Sequence, residues 1–359
     1  MINNRKLVLD TFCEVYNELK QYADEEFVTL DTHSVVYNAI YLISREQFKL
    51  NTTKIRELIV THNIIPFLSN PAEGSDTLRK QLKLYNLQDL VANHKVLLIG
   101  GGDMDDSYPC LQYDSFLPKI LDYNENIAAC NRSPEIFSKT KKPYKFLFLN
   151  GVDRPHRSQL LHYFQNIRLL DQSLWTCLDK NMGPIKTLDP HYEYIDYQNN
   201  AVDNATDTFV KHHYFNNTWG EIYLNAEPYI DTYFSLVTET VYSYPYSFRT
   251  EKIWKPIAMG HPWIAVANCG YYRDMHNLGF QTFGHVIDES FDLIENNQDR
   301  LQRIMKIVTD LCQQDLAIFL KECYNVCKYN QQHLAEMRIK VRSEFPERFK
   351  QFITKHINE

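Results

Sequence analysis

The stretch FRTEKIWKPIAMG (248–260) sets Arg249, Thr250, Glu251 and Lys252 directly before a segment that otherwise reads as core. Thr250 fits a helix N-cap, Glu251 and Lys252 fall in the first turn, and Gly260 closes the segment as a C-terminal glycine. A helix N-terminus offers free backbone N–H groups and the positive end of a dipole, so it stabilises an anion. Lysine is disfavoured in a first turn, and Lys252 would add a full charge to the same spot. Glu251 can accept hydrogen bonds from sugar hydroxyls such as those of ribose. Pro256 lacks an amide hydrogen, so the helix is expected to be short or bent. The plain alternative is an exposed, capped helix with a solvated Glu–Lys pair.

A second cluster lies in FLFLNGVDRPHRSQLL (146–161), where Arg154, His156 and Arg157 sit between an apolar strand and the next helix. Two guanidiniums so placed can chelate a diphosphate through bidentate contacts; the alternative is a surface charge patch. One diphosphate gripped from both clusters would explain why each stands at a strand-to-helix junction. Two carboxylates are candidates for proton transfer or for orienting a ligand: Glu73 in LSNPAEGSD (68–76), just beyond an apolar strand, and Glu239 at the end of FSLVTE (234–239).

The segment VLLIGGGDMDDSY (96–108) permits further readings. Asp103 and Asp105 form a D-x-D, the arrangement that holds a divalent metal on a donor diphosphate in metal-dependent transferases. Gly100 to Gly102 after a strand also hint at a dinucleotide loop, but the G-x-G-x-x-G pattern is incomplete because position 105 is Asp. A tight glycine turn with solvated carboxylates fits equally.

These groups need elements to hold them. Short apolar runs at 34–43, 63–69 and 95–101 alternate with the polar, helix-like segments TTKIRELIVT and SDTLRKQLKLYNL. Strands at 144–151, 233–239 and 262–269, with a helix over RPHRSQLLHYFQNIRLL, repeat the pattern. Alternating strand and helix predicts α/β units with parallel sheets, whose ligands sit at the carboxyl ends of the strands. Leu9, Phe12, Val15, Tyr16 and Leu19 recur at helical spacing and predict an opening amphipathic helix. From Asp292 onward the pattern is helical. The expected division is one Rossmann-like domain over 1–140, a second over 141–300, and C-terminal helices over 301–359 that cross back to brace the first domain.

Composition narrows the partners. With 44% hydrophobic and 23% charged residues, 11 Gly and 14 Pro, the chain is that of a folded protein. A net charge of -7 with no long basic run argues against nucleic acid. The 24 Tyr and 20 Phe are read chiefly as core, with a carbohydrate cleft as the other use. Eight Cys without paired CxxC spacing, no apolar leader and no stretch long enough to span a bilayer give a cytoplasmic expectation. Cys323 and Cys327, near His333, are read as buried helix thiols rather than metal ligands, and the N-x-S/T matches at Asn51, Asn131, Asn204 and Asn216 as chance.

The segment YFSLVTETVYSYPYSFRTEKIWKPIAMGHPWIAVANCG (233–270) resembles the donor-binding segment of GT-B glycosyltransferases related to the alpha-1,3-fucosyltransferases. Their pattern runs aromatic-x-Thr-Glu-Lys, a short helix, Gly, then a Pro-containing apolar strand. The likeness covers residues 140 to 290; Phe248 stands where that family usually has Tyr, and Trp263 where it has a small residue. The resemblance implies two Rossmann-like domains facing a cleft and a GDP- or UDP-linked sugar donor, with no cofactor or metal required. It further implies ribose and diphosphate contacts from Glu251 and Lys252, phosphate contacts from Arg154 or Arg157, donor contacts from Thr250 and Glu239, and Glu73 as the base of an inverting transfer. The acceptor would be a glycan or a protein. A metal-dependent GT-A-type transferase using Asp103 and Asp105, a non-catalytic carbohydrate- or partner-binding module with a degenerate nucleotide site, and a dehydrogenase are the rival readings.

Overall fold

The structure is a computed structural model that describes residues 4–30, 35–50, 52–103, 108–151, 154–177 and 224–357. The chain forms two α/β units: Met1–Pro118 with Tyr246–Phe248 and Met337–Glu359, and Lys119–Pro245 with Arg249–Glu336. Asp105, Asn51, Asn204 and Asn216 lie outside the described residues.

Unit 1 carries six strands, β1 (Lys6–Asp10), β2 (Glu25–Phe27), β3 (Ala39–Ser44), β4 (Ile65–Asn70), β5 (Leu97–Gly100) and β6 (Cys110–Gln112), in the order β2-β1-β3-β4-β5-β6. Every neighbouring pair is parallel. The unbroken apolar runs of its central strands follow from this, because a parallel sheet is buried on both faces. Leu7, Leu9, Ile40, Leu42, Phe67, Leu97 and Ile99 point to one face and meet Phe345, Phe349 and Ile353 from the final helix, Leu316–His356. Val8, Tyr41, Ile43, Leu68 and Leu98 point to the other. There they meet Ile55 and Leu58 of α1 (Thr52–His62) and Leu78 and Leu82 of α2 (Ser75–Leu84). The period of two assigns neighbouring residues to opposite layers, which the sequence run alone cannot show.

The expected opening helix is instead β1. Leu7, Val8 and Leu9 are all buried, so both faces of this segment are covered, whereas Phe12 of the supposed helical stripe is 64% exposed. Only Tyr16–Leu19 forms a helix there.

The glycines at the end of β5 are a packing notch. The Phe248 ring lies against Gly74, Gly101 and Gly102, and a Cβ on Gly101 would come within 2.7 Å of the ring and 2.3 Å of the Pro71 carbonyl oxygen. Gly102 has φ +71, a left-handed conformation that favours glycine. The amides that a phosphate would need are already spent: Gly101 N donates to Glu73 O at 3.1 Å and Asp103 N to Ser247 O at 2.7 Å. The dinucleotide-loop reading is therefore corrected to a tight turn wrapped on an aromatic ring.

Unit 2 contains β7 (Tyr144–Asn150), β8 (Leu174–Cys177), β9 (Thr232–Thr238) and β10 (Trp263–Val266), ordered β10-β9-β7-β8 and parallel throughout. Its helices include α3 (Pro155–Asn166), α4 (Glu251–Met259), α5 (Tyr271–Asn277) and α6 (Asn297–Leu311). Aromatics fill its core. Phe146 stacks on Phe234 at 5.5 Å and meets Phe164 edge-on, and Trp263 packs on Tyr272 and Phe283. Cys323 and Cys327 are buried free thiols, and the His333 Nε2–H donates to the Leu278 carbonyl. No helix among the described residues is long and apolar enough to cross a membrane.

Gly101→Ala should destabilise the protein by about 1–3 kcal/mol, because its Cβ meets backbone as well as the Phe248 ring. Gly284→Ala, whose Cβ would come no closer than 3.1 Å, and to a side-chain oxygen rather than backbone, should cost less than Gly101→Ala. Urea unfolding of the two variants beside the parent checks this; equal stability would remove the notch.

Candidate functional site

The carboxyl ends of β7, β8 and β9 turn from apolar to polar. Asn150 N donates to Thr176 Oγ1 at 3.2 Å, and Thr238 Oγ1 donates to Asn150 Oδ1 at 2.8 Å. The Asn150 Nδ2 donor is buried and has no acceptor among the described residues. A buried amide donor left in this state costs free energy unless something accepts from it.

Glu239 follows β9 and has no exposure. Its carboxylate accepts from Thr250 N at 3.1 Å, Thr250 Oγ1 at 2.7 Å and Tyr271 OH at 3.0 Å. Burial pushes its pKa up, while the charge of Lys252 and the Thr250 hydrogen bonds pull against that rise. These bonds fix the residue before α4. Thr250 is its N-cap, accepting from Lys252 N at 3.3 Å, and Gly260 ends it in the left-handed region with φ 62. The helix continues three residues past Pro256 and, at nine residues, is short, as expected. A proline in this position costs one backbone bond, and the buried face of Ile253, Trp254, Ile257 and Met259 holds the turn together.

Lys252 Nζ lies 3.2 Å from Thr250 Oγ1 and 2.6 Å from Glu251 Oε1. Its side chain is 24% exposed and that of Glu251 11%. Burial alone would raise the Glu251 pKa, but the charge and hydrogen bond of Lys252 and the charge of Lys255 bring it below the usual carboxylate range.

The second cluster converges on the same strand end. Arg157, almost fully buried, donates to the Thr238 carbonyl at 2.9 Å, and His156 Nε2 donates to the Glu239 carbonyl at 3.0 Å. Arg154, the exposed residue before α3, adds positive charge beside His156. Arg157, Glu239, Thr250, Glu251 and Lys252 are thus brought together around the end of β9, with Arg154 at the rim and the Arg157 guanidinium committed inward. Arg249 lies close enough to Tyr271 for its charge to act on that phenol. Around the end of β9, Lys252 acts on both Glu239 and Glu251, Lys255 on Glu251, Arg154 and Arg157 on His156, and Arg249 on Tyr271.

Three supports of this site were missed in the sequence. Tyr242 stacks on His156 at 4.8 Å, and the Arg300 guanidinium sits 4.5 Å over the Tyr242 ring. Arg300 is 1% exposed and donates to the carbonyls of Ala267, Ile294, Glu295 and Tyr242 and to Asn297 Oδ1. It ties the loops after β9 and β10 to the start of α6. Tyr271 completes the Glu239 contacts. No local pattern marks any of the three.

Glu73 belongs to unit 1, in the turn between β4 and α2. Its Oε1 pairs with Arg45 NH1 at 3.1 Å, with side-chain exposures of 29% and 41%. At the end of β1, buried Asp10 accepts from Phe12 N and Ser44 N. Asp103 is described, but its proposed metal-binding partner Asp105 is not.

Comparison with protein-family models, with curated proteins and with solved structures gave no match.

His156 and His261 generate a pH dependence. Burial, then the Arg157 charge, pushes His156 down to about 3; burial pushes His261 down to about 3. His261 is neutral with its proton on Nε2, which donates to the Thr232 carbonyl, while Nδ1 accepts from Ser235 Oγ. The unfolded chain takes up protons on these rings near pH 6.5 and the folded chain does not. Their stabilising contribution is complete above about pH 7 and is lost as pH falls through the window down to 3, by on the order of 1 kcal/mol per pH unit for each ring. Glu239, raised by burial, runs in the opposite sense, so the comparison is made between variants. Urea unfolding at pH 7, 6 and 5 should give His156→Gln a shallower loss than the parent; identical slopes would show that His156 is charged in the fold.

Proposed function

We propose that this chain is a GT-B-type glycosyltransferase that moves a sugar from a nucleoside-diphosphate sugar to a glycan or protein acceptor. The observation that carries the reading is the capped α4 N-terminus, with Lys252 in its first turn, at the carboxyl end of the parallel strand β9 that Arg157 also contacts. An anion the size of a diphosphate meets three favourable terms there: the α4 amides and dipole, the Lys252 ammonium, and guanidinium charge from the start of α3. The Glu251 carboxylate suits ribose hydroxyls, and the likeness of FRTEKIWKPIAMG to the fucosyltransferase-related pattern supports the same assignment.

In this reading the acceptor oxygen forms its bond to the sugar C1 as the C1–O bond to the β-phosphate breaks. The electron pair of that bond leaves on the diphosphate, where Lys252 and Arg154 neutralise it, with Arg157 adding its charge from the buried side. The acceptor proton passes to the Glu73 carboxylate, with inversion at C1. Cationic side chains do the work a bound divalent metal would do, so no metal is required. Thr250 and Glu239 keep Lys252 in place, and Glu239 acts through them rather than on the substrate.

Native protein titrated with GDP and UDP should gain apparent stability with at least one of them, by about 2.7 kcal/mol at a hundredfold excess over Kd. Lys252→Ala should abolish the gain, measured against its own ligand-free melting temperature, which falls because Glu251 loses its partner, and Lys252→Arg should restore part of the gain. A gain that survives in Lys252→Ala would sink the donor-site assignment.

Glu73→Gln tests the other half. It should leave the nucleotide-induced gain intact and lower sugar transfer from the matching donor by about 10²–10⁴-fold. Transfer at the parental rate would remove Glu73 from the mechanism.

A further inference from the structure

Away from the strand ends, the outer faces of α3 and α6 in unit 2 enclose an open groove of about 600 Å3. Gln159, His162, Tyr163 and Asn166 line it from α3, at the i, i+3, i+4, i+7 spacing of one helix face. Gln298 and Gln302 line it from α6, over Met305. Its volume falls within the range of small-ligand sites.

The lining is unusual in what it combines. In a chain with 23% charged residues, an exposed helix face ordinarily carries Lys or Glu, yet none of the described residues lining this groove is Lys, Arg, Asp or Glu. The neighbouring cations of α6 are committed elsewhere, Arg303 to Asp288 and Lys306 to Asp310. Among the described residues, the side chains of Gln159, His162, Asn166, Gln298 and Gln302 make no hydrogen bond within the chain. Their donor and acceptor capacity is open to a ligand.

Each carboxamide presents a donor and an acceptor side by side, which matches a pair of neighbouring hydroxyls. The half-buried Tyr163 brings to the lining an aromatic ring, which suits the C–H surface of a sugar, and a phenolic hydroxyl. An anionic ligand would find no counter-charge here. A purely apolar one would bury polar groups without partners.

We propose that this groove is a binding site for a neutral oligosaccharide, gripped by the carboxamides of α3 and α6 and stacked on Tyr163. The saccharide assignment follows from the lining; that the sugar chain is the acceptor, held apart from the donor site, rests on the glycosyltransferase reading.

A printed array of neutral, sialylated and sulfated glycans, probed with the full chain, should retain neutral glycans. Calorimetric titration with the strongest neutral binder should then show at least tenfold weaker binding to Gln159→Ala/Tyr163→Ala and, as a second variant that keeps every ring, to Gln302→Glu. Both variants should keep the parental response to GDP and UDP. No retention on the array, preference for the anionic glycans, or parental affinity in both variants would overturn the proposal. Groove binding without any nucleotide response would instead overturn the transferase reading and leave the saccharide site standing.

Discussion

The polar end of unit 2 depends on one buried carboxylate. Placing Glu239 out of water costs several kcal/mol if it is charged, and only directed donors offset that cost. Thr250 supplies two and Tyr271 a third. Because one of those donors is the backbone amide of the α4 N-cap, satisfying the carboxylate also fixes where α4 begins. Thr250 Oγ1 in turn accepts from the Lys252 ammonium. Removing the Glu239 carboxylate would leave buried donors unpaired and loosen the ammonium together, so stability and any ligand affinity at this place are coupled.

Local signals carried well from sequence to structure, and long-range ones did not. Thr250 at an N-cap and Gly260 at a left-handed C-terminus are read from residue type, since each solves a backbone problem within one turn. Continuous apolar runs such as KVLLIGG mark parallel strands for the same reason. The contacts of Arg157 with Thr238 and of Arg300 with Ala267 join residues 81 and 33 positions apart, and nothing near either residue announces the partner. β1 was missed because Leu9, its last apolar residue, also falls at helical spacing with Phe12, Val15, Tyr16 and Leu19, a stripe in which Phe12 is exposed.

The glycine segment shows how a local pattern can mislead. Gly100 to Gly102 after a strand have the residue type of a phosphate loop, but glycine also permits close approach of any neighbour. Here the neighbour is Phe248, whose ring contacts Gly74 and Gly102 as well. The position that resembles a donor-motif aromatic therefore has a packing role in unit 1, while Arg249 and the residues after it belong to unit 2.

Strand order in unit 1 reverses between β1 and β3, the place where an open parallel sheet usually offers a crevice. Buried Asp10, at the end of β1, accepts from Phe12 N and Ser44 N, and the Glu73–Arg45 pair joins the segments that follow β4 and β3. A pair exposed to this degree is worth about 0–1 kcal/mol, far less than a buried one. Glu73 can therefore exchange the guanidinium for another partner at little cost, whereas Glu239, fully buried and held by three donors, cannot. The two carboxylates are chemically alike, and their surroundings leave one free to change partners and hold the other in place.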